Sequence, residues 1–292
     1  MQKLTDEELI HELKTRFEFK RKALNDLTVL TRQLESTNRK LQESEALKSH
    51  FLANIRNEIN NPLTSIIGLS GQLMEDGGAP ETVAMVSRMI YCEAFNLDFQ
   101  LQNILMAAEL EAGESRPSFN RVDVVGVLGR ILDLLGHKIG EKGVTVRKEA
   151  PETILFTTDP QNLHLMLINL LTNAIEFSPV GGVIEVSLQV GAGGLEVSVR
   201  DQGPGIDPKH RERIFDRFRQ VDESSTKMHP GHGLGLSIVK ALAELFGGCV
   251  LLGDADGGGT LFRFTLPEPA VPVSDVLSQE GNLFFFDQPE TF

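Results

Sequence analysis

Asp201-Gln202-Gly203-Pro204-Gly205 and Gly231-His232-Gly233-Leu234-Gly235-Leu236 are the stretches whose reading decides the fold. Glycine admits φ > 0 and lets a ligand lie against bare backbone. The second cluster runs directly into Leu236-Ser237-Ile238-Val239-Lys240-Ala241-Leu242-Ala243-Glu244-Leu245, an apolar run with helical spacing. Glycine-rich backbone at a helix N-terminus offers free N–H groups and the positive end of the helix dipole to an anion. The local reading is a phosphate cradle with a long polar flap between its halves. Two ordinary turns would use the same glycines, so the residues around them have to separate the readings.

Asn169-Leu170-Leu171-Thr172-Asn173-Ala174 precedes the clusters and Gly257-Gly258-Gly259-Thr260 follows them. With these in place the chain resembles the ATP-binding domain shared by sensor histidine kinases, gyrase, a heat-shock chaperone family and mismatch-repair ATPases. Asn169 and Asn173 match its N box, Asp201, Gly203 and Gly205 the first glycine box, and Phe215 and Phe218 the F box. Gly231, Gly233 and Gly235 match the second glycine box, Gly259 and Thr260 the third. Ile214-Phe215-Asp216-Arg217-Phe218 points to the histidine-kinase branch.

The resemblance implies a set of roles. Asp201 would accept the exocyclic amine of adenine; its alternative is a turn residue before Gly203. Asn173 would offer an amide oxygen to Mg²⁺, which prefers oxygen donors and few protein ligands. Asn169 sits one turn before it; the alternative for the pair is hydrogen bonding inside the core. Backbone N–H groups at Gly231, Gly233, Leu234, Gly235 and Leu236, with Arg217 and Arg219, would meet the phosphates. Phe215, Phe218 and Thr260 complete the ATP-binding set, and residues 220–230 would form a mobile lid. One position departs: where the family often has a lysine three residues after the second N-box asparagine, this chain has Glu176. A carboxylate there repels a triphosphate.

The chain has 292 residues, 41% hydrophobic and 24% charged, enough for two modest globular domains. Its net charge of −13 argues against nucleic-acid binding. Cys92 and Cys249 form no CxxC pair and read as buried small apolar residues. No signal peptide or run of about 18 apolar residues is seen, so a cytoplasmic location is expected. A longer, membrane-bound parent is compatible with that.

From the N-terminus, residues 1–47 read as a signalling helix without glycine or proline. Leu27, Leu30, Leu34 and Leu41 give a short coiled-coil seam. Lys14, Arg16, Lys20, Arg21 and Lys22 form either a solvated helix face or a contact for acidic lipid. The helix continues through Ile55, Ile59, Ile66 and Leu73, with Pro62 expected to kink it. Glu75-Asp76-Gly77-Gly78-Ala79-Pro80 ends it. Val83, Val86, Ile90, Ala94, Leu97, Leu101, Ile104 and Ala108 stripe a second helix. One hairpin cannot hide both stripes, whereas two can as a four-helix bundle. This is the dimerisation and phosphotransfer module that the resemblance implies, over 48–113.

Residues 116–267 form the ATP-binding domain in this reading. It has a strand near Asn120–Val122, a helix over Val124–Ile139, and strands near Val144–Lys148 and Ile154–Thr157. A helix from Gln161 to Phe177 carries the N box. Strands follow at Val183–Val190, Leu195–Val199, Val250–Leu252 and Leu261–Thr265. The expected class is α+β: a helical hairpin, then an α/β sandwich with helices on one face of a mixed sheet. Residues 268–292 read as a polar tail, in which Leu283-Phe284-Phe285-Phe286 is either a docking motif or a disordered end.

The family's phosphoaccepting histidine opens the pattern His-Glu-x-x-Asn/Thr-Pro-Leu. This chain reads Asn57-Glu58-Ile59-Asn60-Asn61-Pro62-Leu63. An imidazole nitrogen has a lone pair free to attack phosphorus; an amide nitrogen has its lone pair delocalised into the carbonyl. Autophosphorylation at Asn57 is therefore not expected. His50, seven residues upstream, is the alternative acceptor, but about 10 Å along a helix is too far for a geometry tuned to position 57. His232 reads as a lid or phosphate contact, and His11, His137, His164, His210 and His229 as ordinary surface or core residues. By resemblance Glu58 would assist phosphoryl transfer, and Asn61 would orient water when a response regulator is dephosphorylated. Helix-surface polarity and an ordinary Asn-Pro step are the plain alternatives.

The expected protein is of the two-component histidine-kinase family. It binds ATP and Mg²⁺, pairs as a homodimer or with another kinase, and signals to a response regulator receiver domain. Three forms stay open: a phosphatase or trans-acting kinase without its own acceptor, an ATP-binding scaffold or pseudokinase, and a kinase core with a substituted acceptor.

Overall fold

A computed structural model describes residues 6–76, 79–217, 233–255 and 258–269; the side chains of 6–15, 18, 23, 40, 43–58 and 75–76 lie outside the description. Phe218, Arg219, the expected lid, Gly231, His232, Gly257 and most of the tail also lie outside it. The chain divides into two compact units, Met1–Asn54 and Ile55–Phe292. Helix α1 covers Asp6–Asp76 and is helical through Pro62.

In the first unit the leucines of the expected seam are largely in solvent, Leu34 at 72%. The hydroxyls of Thr28, Thr31 and Thr37 donate to carbonyls four residues earlier, at 2.8, 2.9 and 2.9 Å. These bonds satisfy the threonines within their own helix, so they do not interrupt it.

The second unit contains α2 (Pro80–Ala112), opened by its first-turn proline and closed by Gly113 at φ 68°. Gly113 N–H reaches back to Leu110 O, which satisfies a carbonyl that the helix end leaves open. The expected helix Val124–Ile139 is two helices, α3 (Val124–Leu134) and α4 (Gly136–Lys142). Leu135 leaves helical geometry at ψ 0° and is fully buried, so the chain turns there to seat it.

Strand β1 (Asn120–Asp123) pairs antiparallel with β3 (Leu155–Thr158) in a small sheet of its own. The main sheet holds β2 (Thr145–Glu149), β4 (Val183–Gly191), β5 (Gly194–Arg200), β6 (Cys249–Asp254) and β7 (Thr260–Leu266). Its order is β2-β4-β5-β7-β6, parallel only at β2–β4. The single mixed sheet expected from sequence is thus two sheets. Ile184, Val186, Leu188, Val197, Val199, Phe262 and Phe264 alternate toward one buried face. Helices α5 (Pro160–Phe177) and α6 (Gly235–Leu245) cover that face, and α5 also packs on α3. The expected α+β class holds. Cys249 corrects the cysteine expectation: it is exposed on the edge strand β6, its Sγ 3.2 Å from Thr265 Oγ1, and Cys92 is half-buried.

Candidate nucleotide site

Asp201 follows the last residue of β5 and is 4% exposed. Its Oδ1 accepts N–H bonds from Gly203 at 2.8 Å and Thr260 at 3.1 Å. Burial pushes the carboxyl above its ordinary range, and the bonds from Gly203 and Thr260 pull against that rise. Asp201 N–H donates to Thr260 O at 2.9 Å, which pins the first glycine box to the third. Gly259, at φ +105°, passes so close to the Asp201 carbonyl that a Cβ would collide with it. A Cβ at Gly203 would come within 2.8 Å of Phe177 O and 2.9 Å of Asp201 Oδ1. Asp201, Gly203, Gly205, Gly259 and Thr260 therefore form one wall, with Gly205 at φ +75° against Gly259.

The opposite wall is α5. Its cap, Asp159, accepts N–H bonds from Gln161 and Asn162 at 2.9 Å each, and from Ser118 at 2.7 Å. Asn169, Asn173 and Glu176 fall at i, i+4 and i+7, one stripe of the helix. Asn173 is half-buried. Asn169 is 4% exposed, and its Nδ2 donates both to Leu165 O and to Asn103 Oδ1 on α2, each at 2.8 Å. In this structure its amide therefore acts as a hydrogen-bonding group of the core. A Cβ on Gly235 would run into Asn169 Oδ1, so the glycine that opens α6 is what lets the two helices meet there. Gly233 is at φ +65°, Leu234 is buried, and Leu236 is half-buried in the first turn of α6.

The first two residues of the F box lie in a short 3-10 turn, Arg213–Phe215, anchored by buried Ile214. Lys240 Nζ lies 5.6 Å from the Phe215 ring centre. Arg217 lies 4.0 Å from Glu111 Oε2 of α2.

Glu176 is embedded with two lysines of α4. Burial raises its carboxyl to about 7 against the pull of Lys138 and Lys142. Lys142 Nζ donates to the Glu176 carbonyl. Lys138 is itself shifted down by burial and upward by Glu176. His164, on the same helix, is buried and held down at about 4 by desolvation and the nearby Arg130 charge, so it is neutral at physiological pH. His137 Nδ1 lies 3.1 Å from Leu134 O, and the ring meets Phe95 edge-on.

Asn57, Glu58 and His50 lie within α1, their side chains outside the described residues; Asn61 is exposed and Pro62 buried. Among the described residues there is no cluster of three metal-ligating acidic, histidine or cysteine side chains, and no helix is long and apolar enough to cross a membrane.

The residues that sequence reasoning missed lie on α2. Phe95, Asn103 and Ala107 are buried, and with Glu111 they follow a step of four or eight. Phe95 meets His137 and lies under Lys138 Nζ at 5.8 Å, Asn103 meets Asn169, and Glu111 faces Arg217. That step was a readable signal, hidden by the stronger three-and-four stripe on the same helix.

Residues 47–113 match the family described as "His Kinase A (phospho-acceptor) domain". Residues 158–270 match "Histidine kinase-, DNA gyrase B-, and HSP90-like ATPase". Together these spans take in more than half of the chain. The chain is 32% identical over 270 residues to Sensor histidine kinase TmoS of Ectopseudomonas mendocina, covering 90% of this chain and 28% of that one. It is 33% identical over 241 residues to Hybrid signal transduction histidine kinase D of Dictyostelium discoideum, covering 80% of this chain and 16% of that one. The chain thus spans less than a third of the length of either curated relative. Among solved structures, full-length ShkA in complex with AMPPNP is similar at a TM-score of 0.53 and 30% identity, covering 76% of this chain and 47% of that one.

Proposed function

Since this chain belongs to the two-component sensor histidine kinase family, we propose that it binds Mg-ATP between α5, α6 and the end of β5 and signals in the cytoplasm without phosphorylating itself. The observation that carries the nucleotide reading is Asp201. It is a buried carboxylate with Oδ1 already held by two N–H groups, which fixes its direction and leaves acceptor capacity for a purine amine. Asn173 would hold Mg²⁺ through its amide oxygen, the remaining ligands being phosphate and water oxygens. The free N–H groups at the start of α6 and the Arg217 guanidinium would take the phosphate charge.

The frame Asn57, Glu58, Asn61, Pro62 keeps every residue of the family pattern except the nucleophile. Glu58 and Asn61 would then serve a receiver domain, in dephosphorylation or docking, or a partner kinase in a heterodimer. Glu176 is the observation that favours the second reading, an ATP-binding scaffold or pseudokinase. It puts a carboxyl on the N-box stripe where the family often has a lysine, which removes a cationic phosphate partner and weakens the case for a productive triphosphate pose.

Incubation with radiolabelled ATP tests the proposal. The native protein is expected to take no acid-labile phosphate, and Asn57→His to gain it. Labelling of the native protein at His50 would overturn the lost-acceptor argument. A silent Asn57→His that still binds ATP would favour the scaffold.

A further inference from the structure

Two neighbouring asparagines from different modules are both buried here, Asn103 on the hairpin helix α2 and Asn169 in the N box, at 5% and 4% exposure. The orientation of each is fixed. Asn103 Nδ2 donates to Phe99 O at 2.9 Å within its own helix, which turns Oδ1 outward. That oxygen receives Asn169 Nδ2 at 2.8 Å. An amide has two N–H donors, and Asn169 spends the other on Leu165 O. Its own Oδ1 lies against Gly235, where no Cβ would fit. Both N–H donors of the Asn169 amide are thus engaged, and one of their acceptors belongs to the phosphotransfer hairpin.

We propose that Asn103 is a positioning residue that sets nucleotide affinity: docking of α2 ties up Asn169, and nucleotide and hairpin compete for the same amide. The proposal rests on the reading of Asn169 as a nucleotide ligand. Breaking the pair without a substitute leaves a buried donor and acceptor unsatisfied. Asn169 Nδ2 therefore turns to a phosphate oxygen only as α2 gives way. The rest of the α2 contact makes the device a movable one. It consists of Phe95 against His137 and Lys138, small Ala107, and the loose 4.0 Å pair of Glu111 with Arg217. Arg217 is also a proposed phosphate ligand. Nucleotide would thus draw two side chains, Asn169 and Arg217, away from the same helix, and the apolar face between them is small. Signals that shift α2 would then change ATP affinity, and ATP would in turn shift α2, since the coupling of two binding equilibria is reciprocal.

Calorimetry of the whole chain with Mg²⁺ and a non-hydrolysable ATP analogue tests this. Asn103→Leu keeps the volume and removes the acceptor, and it is expected to tighten binding about three- to tenfold, the worth of one buried hydrogen bond. Asn103→Asp keeps the acceptor toward Asn169 while losing the bond to Phe99 O, and is expected not to tighten binding. Damage to the nucleotide domain's own fold would loosen binding, so the sign separates release of α2 from damage. An Asn103→Leu affinity equal to or weaker than native overturns the proposal, as does an Asn103→Asp that tightens as much as Asn103→Leu. Should Asn103→Leu fail to fold, Glu111→Lys, at a half-exposed position, carries the test: it repels Arg217, and tighter binding supports the proposal while unchanged binding overturns it. Absence of binding in the native protein and every variant would overturn the nucleotide reading itself, a result distinct from unchanged affinity.

Discussion

Glu176 sits where the family often has a lysine, and two lysines of α4 sit beside it. Its carboxyl titrates near 7 in the fold, against an ordinary value of 4.5, because burial penalises the charge more than Lys138 and Lys142 relieve it. A raised pKa means that the folded state holds the proton more tightly than the unfolded one. The associated stability is complete below about pH 4.5 and is lost as pH rises through about 7. Glu176→Gln removes that loss. We expect the variant to exceed the native protein by roughly 1–3 kcal/mol at pH 8 and to lack its slope between pH 5 and 8, read by thermal melts across that range. At Gly259 the prediction is steric. Its φ of +105° and the Asp201 carbonyl beside it leave no place for a methyl group. Gly259→Ala should cost at least about 2 kcal/mol in a chemical melt and abolish the nucleotide-induced shift. Asp201→Asn, in contrast, should fold well yet lose that shift, because the Gly203 and Thr260 bonds can still be accepted by an amide oxygen.

Helix α2 carries two jobs on two faces. One face, with Phe95, Asn103 and Ala107, is covered by the ATP-binding part of the same chain. The other leaves Val83, Leu101 and Leu105 exposed, Leu105 at 62%. Burying one such side chain contributes about 1.5–3 kcal/mol, so a second hairpin is the natural cover for this row. Leu101→Asp with Leu105→Asp should convert a dimer into a monomer in light scattering while the nucleotide-induced thermal shift survives. A native protein that is already monomeric would refute the pairing. The stripe at three-and-four spacing was legible in the sequence because it follows the helix period. The docking face follows a step of four and eight that was open to reading, but it mixes an aromatic, an amide, an alanine and an acid, a combination that hydrophobic patterning passes over.

In the whole molecule the proposed loss of the acceptor at position 57 can be used to ask whether a dimer shares its parts. On the proposed reading a native subunit has Asp201 but no nucleophile at position 57, and an Asn57→His/Asp201→Asn subunit would have the nucleophile but lack the adenine acceptor. Neither should label alone. When the two are mixed and allowed to exchange, acid-labile phosphate should appear on the doubly substituted subunit, showing that one chain's nucleotide domain serves its partner's helix. Label on Asn57→His alone, with none in the mixture, would mean that each chain acts on itself.

The sequence by itself determined the order of modules and the family, because glycines at positive φ, the N box and the helical periods are local constraints written in consecutive residues. It also determined that position 57 carries an amide and no imidazole, since that is a matter of chemical identity. It did not reveal that Leu135 divides a helix, that β1 and β3 form their own sheet, or that Cys249 faces solvent. Each of those depends on what packs from elsewhere in the chain. The same holds for the candidate site. Asp201, Gly203 and Thr260 were each readable, but their joining through one carboxylate oxygen was not. The tie between Asn103 and Asn169, 66 residues apart, exists only once α2 lies against α5. A hydrogen bond between two buried amides is decided by where tertiary packing brings them, and no local pattern records it.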